Sequence, residues 1–199
     1  MAIFKPEVLK SIRAIEGGWV NDPDDSGQET FLGIARAKDP NPAVWAIVDD
    51  IKKRNPIFTK QAQDGNPKNL NSLLYANKEL NDLIDNIYQR SYWDVNRLGE
   101  INDQQLAANV CDCGVNCGTK TSAIMLQKAY NLTTDKGKIS EDGAIGGKTL
   151  GAINDSDAEV IYNKYNELRV AYYENIIARK PSQAKFRKSW MSRVKPYVN

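Results

Sequence analysis

A mainly α fold, with a small β-hairpin near the N-terminus and a helical C-terminal half, is predicted by three features of the chain. Apolar residues recur at helical spacing over most of its length. One turn-rich stretch, Trp19 to Thr30, breaks that rhythm early on. No long segment alternates apolar and polar residues as a half-buried strand does.

The first helix is signalled by Pro6, which suits a first helical position, followed by Val8, Leu9, Ile12 and Ile15. At about 100° per residue, Glu16 falls inside the arc of those side chains. Gly17 and Gly18 then stop the helix. A carboxylate is thus expected at a helix C-terminus beside an apolar stripe. Desolvation and the negative end of the helix dipole both disfavour its charged form. A carboxylic acid kept protonated near neutral pH is what a glycosidase uses to protonate a leaving oxygen.

Between Trp19 and Thr30, one Pro, one Gly, one Ser and three Asp supply turn chemistry for a short hairpin. Asp25 lies nine residues after Glu16, and Thr30 five after that. A second carboxylate with a hydroxyl beside it can hold a water or stabilise positive charge on a sugar ring. Two other readings stay open. A Glu before Gly-Gly is commonly a surface cap. Asp22, Asp24, Ser26 and Gly27 also imitate the start of a calcium loop, although Gly33 stands where the closing Glu belongs.

The run Glu16-Gly17-Gly18-Trp19, Asn21-Asp22-Pro23, Asp25, Gly27, Thr30 and Gly33-Ile34 resembles the signature of the family-108 glycoside hydrolases. These are N-acetylmuramidases with the lysozyme-like fold of phage endolysins. The resemblance implies that Glu16 is the acid, Asp25 the water-orienting or charge-stabilising carboxylate, and Thr30 its helper. Two positions depart from the pattern. Gln28 stands where a second turn glycine is usual, and Phe31 where a polar residue often follows the Thr.

From Ala35 to Asn77 the chain carries a stretch that the minimal family pattern does not need, read as an insertion. Pro42 opens a helix bearing Val44, Trp45, Ile47, Val48 and Ile51, and Pro56 ends it. The polar run Thr59 to Asn71 reads as a loop. Leu80, Leu83, Ile84, Ile87 and Tyr88 then mark a helix closing at Tyr92-Trp93-Asp94, a further point of family resemblance that puts Trp93 under the substrate cleft. Asp103 caps a helix running to Gly118. Its Asp112 to Gly118 segment resembles the family's Asp-x-Ala-Val-Asn-x-Gly, which offers Asn116 as a sugar-facing residue.

After the next helix, Thr121 to Tyr130, the run Asp142-Gly143-Ala144-Ile145-Gly146 with Thr149-Leu150 resembles the turn-then-helix pattern of small peptidoglycan-binding modules. Asp157 to Lys180 reads as one long helix, and Ser182 as the cap of a last helix bearing Phe186, Trp190 and Val194. Seven Lys or Arg and no acid occur from Asn175 to Asn199. A basic, Trp-bearing tail suits anionic wall polymers or nucleic acid, or is a solvated helix face, and no nucleic-acid motif accompanies it. The expected division is a lysozyme-like catalytic region over 1–118, with 35–77 inserted, and a helical peptidoglycan-binding-like region over 119–199.

Composition narrows the chemistry. The chain has no histidine, which removes Ser-His and Cys-His nucleophile pairs and the usual ligands of zinc amidases. No metal and no cofactor are expected. Cys111, Cys113 and Cys117 are the only cysteines and read as small core residues. No apolar run reaches the roughly 18 residues a membrane span needs. The N-terminus lacks a signal core, so synthesis in the cytoplasm and action on the wall after release or export by a partner are expected.

Taken with the resemblance, these features imply a monomeric peptidoglycan hydrolase cleaving the β-1,4 bond between N-acetylmuramic acid and N-acetylglucosamine, with no nucleic-acid partner. The alternatives are a non-catalytic wall-binding or secretion-accessory protein on the same scaffold, and a lytic transglycosylase.

Overall fold

The apolar spacing of the first segment does form a helix, α1 (Glu7–Ile15), with Leu9 and Ile12 buried. The computed structural model describes residues 1–15, 17–22, 27–37 and 41–198. These fall into two units, Leu9–Gln89 and Met1–Val8 together with Arg90–Asn199.

In the first unit, α1 leads to three short antiparallel strands in the order β1 (Val20–Asn21), β2 (Glu29–Phe31) and β3 (Ile34–Ala35). Val20 pairs with Thr30 and Asn21 with Glu29; on the other side Thr30 pairs with Ala35 and Phe31 with Ile34. The expected hairpin is therefore present and extended by a third strand. The turn from β2 to β3 places Leu32 and Gly33 both at positive φ, 45° and 73°. Two central residues of that kind match the right-handed twist of the flanking strands.

Four helices follow: α2 (Pro42–Arg54), α3 (Pro56–Gln63), α4 (Lys68–Ala76) and α5 (Lys78–Tyr88). The polar run Thr59 to Asn71, expected as a loop, is helical on both sides of a turn at Gly65, whose φ is +94°. Pro56 starts α3 as its first residue as well as following the end of α2. The buried side chains here are few but well spaced: Ala62 on α3, and Leu70 and Leu74 one turn apart on α4. Packing of those residues overrides the polar composition. Arg13 ties α1 to α5, donating from Nε to Asp85 Oδ1 at 2.9 Å and from Nη1 to Asn81 Oδ1 at 2.8 Å.

In the second unit, the backbone passes through a π turn (Gln89–Trp93) and two short 3-10 turns into α6 (Gln104–Cys117), α7 (Thr119–Thr133), α8 (Gly147–Asn154) and α9 (Ala158–Arg179). Asp103 caps α6 as predicted, its Oδ1 accepting from Leu106 N–H at 2.7 Å. Gly118, at φ +87°, separates α6 from α7. Ser122 of α7 donates to the Val110 carbonyl of α6 at 2.6 Å, and Gly114 leaves room for Thr119 3.7 Å from where its Cβ would be. The last segment is a 3-10 turn (Pro181–Phe186) and α10 (Arg187–Ser192), so Ser182 lies inside the turn instead of capping a helix.

Candidate active site

Two of the three residues predicted to do chemistry, Glu16 and Asp25, lie outside the described residues, as does most of the calcium-like run. Their immediate neighbours are described. Gly17, directly after Glu16, accepts through its carbonyl from Leu32 N–H at 3.1 Å. The Leu32 carbonyl in turn accepts from the buried Tyr88 hydroxyl at 2.9 Å. This second bond also holds Leu32 in its left-handed conformation, which disfavours a residue with a Cβ by about 1–2 kcal/mol.

Thr30 occupies the middle of β2, half-buried, on the face of the sheet that also carries Val20, which is 52% exposed. Its neighbours Glu29 and Phe31 point the other way, as strand alternation requires, and are buried. Phe31 is core, its ring 5.5 Å from that of Tyr75, which explains why an apolar residue occupies that position. Gln28 takes φ +51°. The backbone here has the left-handed form for which glycine is suited, and Gln28 adopts it without one.

Glu29 is the residue that reading the sequence missed. It is 8% exposed, and three partners converge on its carboxylate. The Trp19 indole N–H and Lys52 Nζ both donate to Oε1 at 2.6 Å, and Arg36 Nε lies 2.9 Å from Oε2. Arg36 also donates to Asp49 and sits with its guanidinium 4.5 Å from the centre of the Trp45 ring. The carboxylate therefore joins β2 to the residue after Gly17-Gly18 and to α2. Asn71 of α4 completes the enclosure, accepting from Trp19 N–H through Oδ1 at 2.7 Å. Nothing in the spacing of the chain marks Asn71, which is 52 residues from its partner.

The other two predicted binding residues lie in the second unit. Trp93 is 4% exposed, with its ring 5.6 Å from Phe4 and its indole nitrogen 3.3 Å from where a Cβ on Gly99 would be. It is a packing residue and offers no face on which a sugar can stack. Asn116 is half-buried on α6, and its Oδ1 accepts from the Cys117 thiol at 3.4 Å.

Asp112, in the family-like segment of α6, is a structural acid. Arg169 of α9 is completely buried and donates to Asp112 Oδ2 at 2.5 Å, to Asn109 Oδ1 at 2.9 Å and to the Tyr173 hydroxyl at 2.8 Å. Arg193 Nη1 donates to the other Asp112 oxygen at 2.9 Å. Burial works against the Arg169 charge, and the negative field of Cys113 and Asp112 outweighs it, so the guanidinium stays protonated. The nearby thiols respond in opposite directions. Cys113 is lowered to about 7 by its hydrogen bond with Cys117 and by Arg169, against the effect of burial, whereas burial pushes Cys111 up. Cys111 and Cys113 are buried and Cys117 partly so.

The Asp142 turn is built as the pattern requires. Asp142 Oδ1 accepts from Ala144 N–H and from Gln127 Nε2, both at 2.9 Å, and these bonds hold its carboxyl below the usual range. Gly143, at φ +80°, lies where a Cβ would come within 2.7 Å of Lys120 Cγ. Open recesses flank the turn, one lined by Lys138, Ser140, Lys148 and Thr149, the other by Val95, Asn96, Thr119 and Lys120. Further along, Trp190 stacks on buried Tyr173 at 5.3 Å, and Phe186 stacks on Trp190 at 5.9 Å with 42% of its own surface exposed.

The family model described as Glycosyl hydrolase 108 matches residues 9–118, and that described as Predicted Peptidoglycan domain matches residues 121–195. Among solved structures, one titled "Structure of Brucella abortus SagA" is similar with a TM-score of 0.60. It is 23% identical, over 94% of this chain and 87% of that one, a likeness of fold. No curated protein matches the chain.

Proposed function

The chain belongs to the glycosyl hydrolase 108 family, and on that premise we propose that it is an N-acetylmuramidase. Family membership and the peptidoglycan domain support a peptidoglycan-acting glycoside hydrolase with a lysozyme-like fold. In the finer reading, it hydrolyses the β-1,4 bond between N-acetylmuramic acid and N-acetylglucosamine. Glu16 protonates the leaving oxygen, Asp25 orients water or stabilises charge on the ring, and Thr30 assists it.

The observation that carries this reading is the match over residues 9–118, which contains the whole run from Glu16 to Thr30. Two features of the described residues support it. Thr30 stands on the more open face of β2, and the turn after Glu16 is held by a hydrogen bond from Leu32 N–H to the Gly17 carbonyl and one from Trp19 N–H to Asn71 Oδ1. Hydrolysis is favoured over transglycosylation because a second carboxylate and a hydroxyl suit the recruitment of water. The region 121–195 then holds the wall polymer, with the recesses beside the Asp142 turn and the basic tail as its contact surfaces.

The test is the product released from purified sacculi. Hydrolysis yields ordinary reducing-end muramic acid, and Glu16→Gln lowers the rate by about 10²–10⁴-fold, the usual contribution of a general acid. Anhydro-muropeptides refute hydrolysis. A fully active Glu16→Gln refutes the acid.

A further inference from the structure

We propose that Asn71 is a positioning residue for the acid-bearing turn, and that the 35–77 segment thereby belongs to the catalytic apparatus. This inference rests on the reading of Glu16 as the acid.

Gly17-Gly18 follows Glu16 directly, and two successive glycines are the least constrained backbone a chain can have. The elements on either side are fixed independently. Leu9, Ile12 and the Arg13–Asp85 pair hold α1, and the buried indole of Trp19 is held by Glu29. The backbone between α1 and β2 is therefore set by how the glycine pair is held. Gly17 is tied by one bond, from Leu32 N–H to its carbonyl.

Gly18 is tied by Asn71. A Cβ built on Gly18 would lie 2.5 Å from Asn71 Nδ2 and 2.8 Å from both Cγ and Oδ1, so the carboxamide rests directly against the glycine. The same carboxamide accepts from Trp19 N–H at 2.7 Å. Asn71 stands on α4 between Leu70 and Leu74, both fully buried, so its backbone is anchored. Lys52 of α2 adds the second hold, through Glu29 to Trp19. The inserted helices thus supply two of the groups that fix the residues after the acid. A displacement of about 1 Å at a reacting group can cost 10²-fold in rate.

The experiment uses the full chain and soluble glycan strands, with kcat and KM measured separately. Asn71→Ala is expected to lower kcat by about 10–100-fold with KM changed less than about threefold. Asn71→Asp keeps the acceptor for Trp19 N–H and should recover to within a few-fold of wild type. Gly18→Ala collides with the carboxamide and should lower kcat as well. Shortening Asn71 removes that collision, so Gly18→Ala/Asn71→Ala should match Asn71→Ala alone instead of multiplying the two losses. A kcat for Asn71→Ala within twofold of wild type, or a double mutant with multiplied losses, overturns the proposal.

Amide exchange at Trp19 gives a readout that does not need turnover. It should accelerate at least about tenfold in Asn71→Ala while the α6 amides stay protected. A fully active Glu16→Gln removes the acid assignment and leaves this measurement to decide the clamp. Wild-type exchange at Trp19 in Asn71→Ala overturns the clamp itself.

Discussion

Replacing Asp112 tests whether the Asp-x-x-x-Asn segment of α6 is structural at its acidic position. Asp112→Ala leaves Arg169, which has no exposed surface, without the carboxylate it reaches at 2.5 Å. Breaking a buried ion pair from one side costs about 3–5 kcal/mol, because the remaining charge cannot be rehydrated. Two facts place this site at the lower end. Arg169 keeps its bonds to Asn109 and Tyr173, and the Asp112 side chain is 14% exposed, so water reaches the gap. A loss of about 3 kcal/mol lowers the melting temperature of a chain this size by about 6–12 °C. Asp112→Asn retains one oxygen acceptor and should lose roughly half as much. Removing Arg169 as well, in Asp112→Leu/Arg169→Met, should cost less than Asp112→Leu alone, since only Arg193 then loses the carboxylate instead of both guanidinium groups. Thermal unfolding followed by circular dichroism measures all four proteins. An Asp112→Ala protein melting within 2 °C of wild type refutes the argument. So does an Asp112→Asn protein that melts normally but has lost turnover at low temperature, which would make Asp112 a functional acid.

The hairpin yields one further prediction and the tail two. Gln28→Gly relieves a left-handed residue and should raise stability by about 1 kcal/mol, read as a higher urea midpoint at unchanged slope. Lys185→Gln/Lys188→Gln should weaken sedimentation with purified sacculi, and more so at low salt, without changing the melting temperature. Trp190→Ala should lower the melting temperature instead, because Trp190 lies between Phe186 and buried Tyr173.

Elements carried by periodicity or by local chemistry were legible in the chain. The α1 stripe, the Asp103 cap, the hairpin and the Asp142 turn depend on residues within a few positions of one another. The 59–71 region is not, because buried Ala62 and Leu70, with Leu74 one turn further on, outweigh a polar composition that reads as loop. The same limit applies at the site. Thr30 is singled out in the sequence by its place inside a fixed-spacing signature. Glu29, beside it, was passed over as part of the turn, because its partners Lys52 and Arg36 are distant in sequence or unremarkable by type. Asn71 has no local signal at all. Trp93 was placed under a cleft on resemblance, and its burial against Phe4 makes it a support and not a surface.

Strained backbone at both ends of β2 bears on how the hairpin is stabilised. Three non-glycine residues of the described chain adopt positive φ, and two of them, Gln28 and Leu32, flank β2. Each costs on the order of 1–2 kcal/mol relative to a relaxed backbone, a strain that persists only where the surroundings over-determine it. They do so here on both sides of Thr30. Leu32 is buried and bonded through its N–H to Gly17 and through its carbonyl to Tyr88. Gln28 precedes Glu29, whose carboxylate is held by Trp19, Lys52 and Arg36. The groups that offset the strain therefore come from α2, from α5 and from the turn after Glu16. A short sheet is thus given its fixed shape partly by α5 and partly by α2, a helix of the 35–77 segment. Shortening the 35–77 segment should then loosen the hairpin first, and leave the helical contacts of α6, α7 and α9 intact.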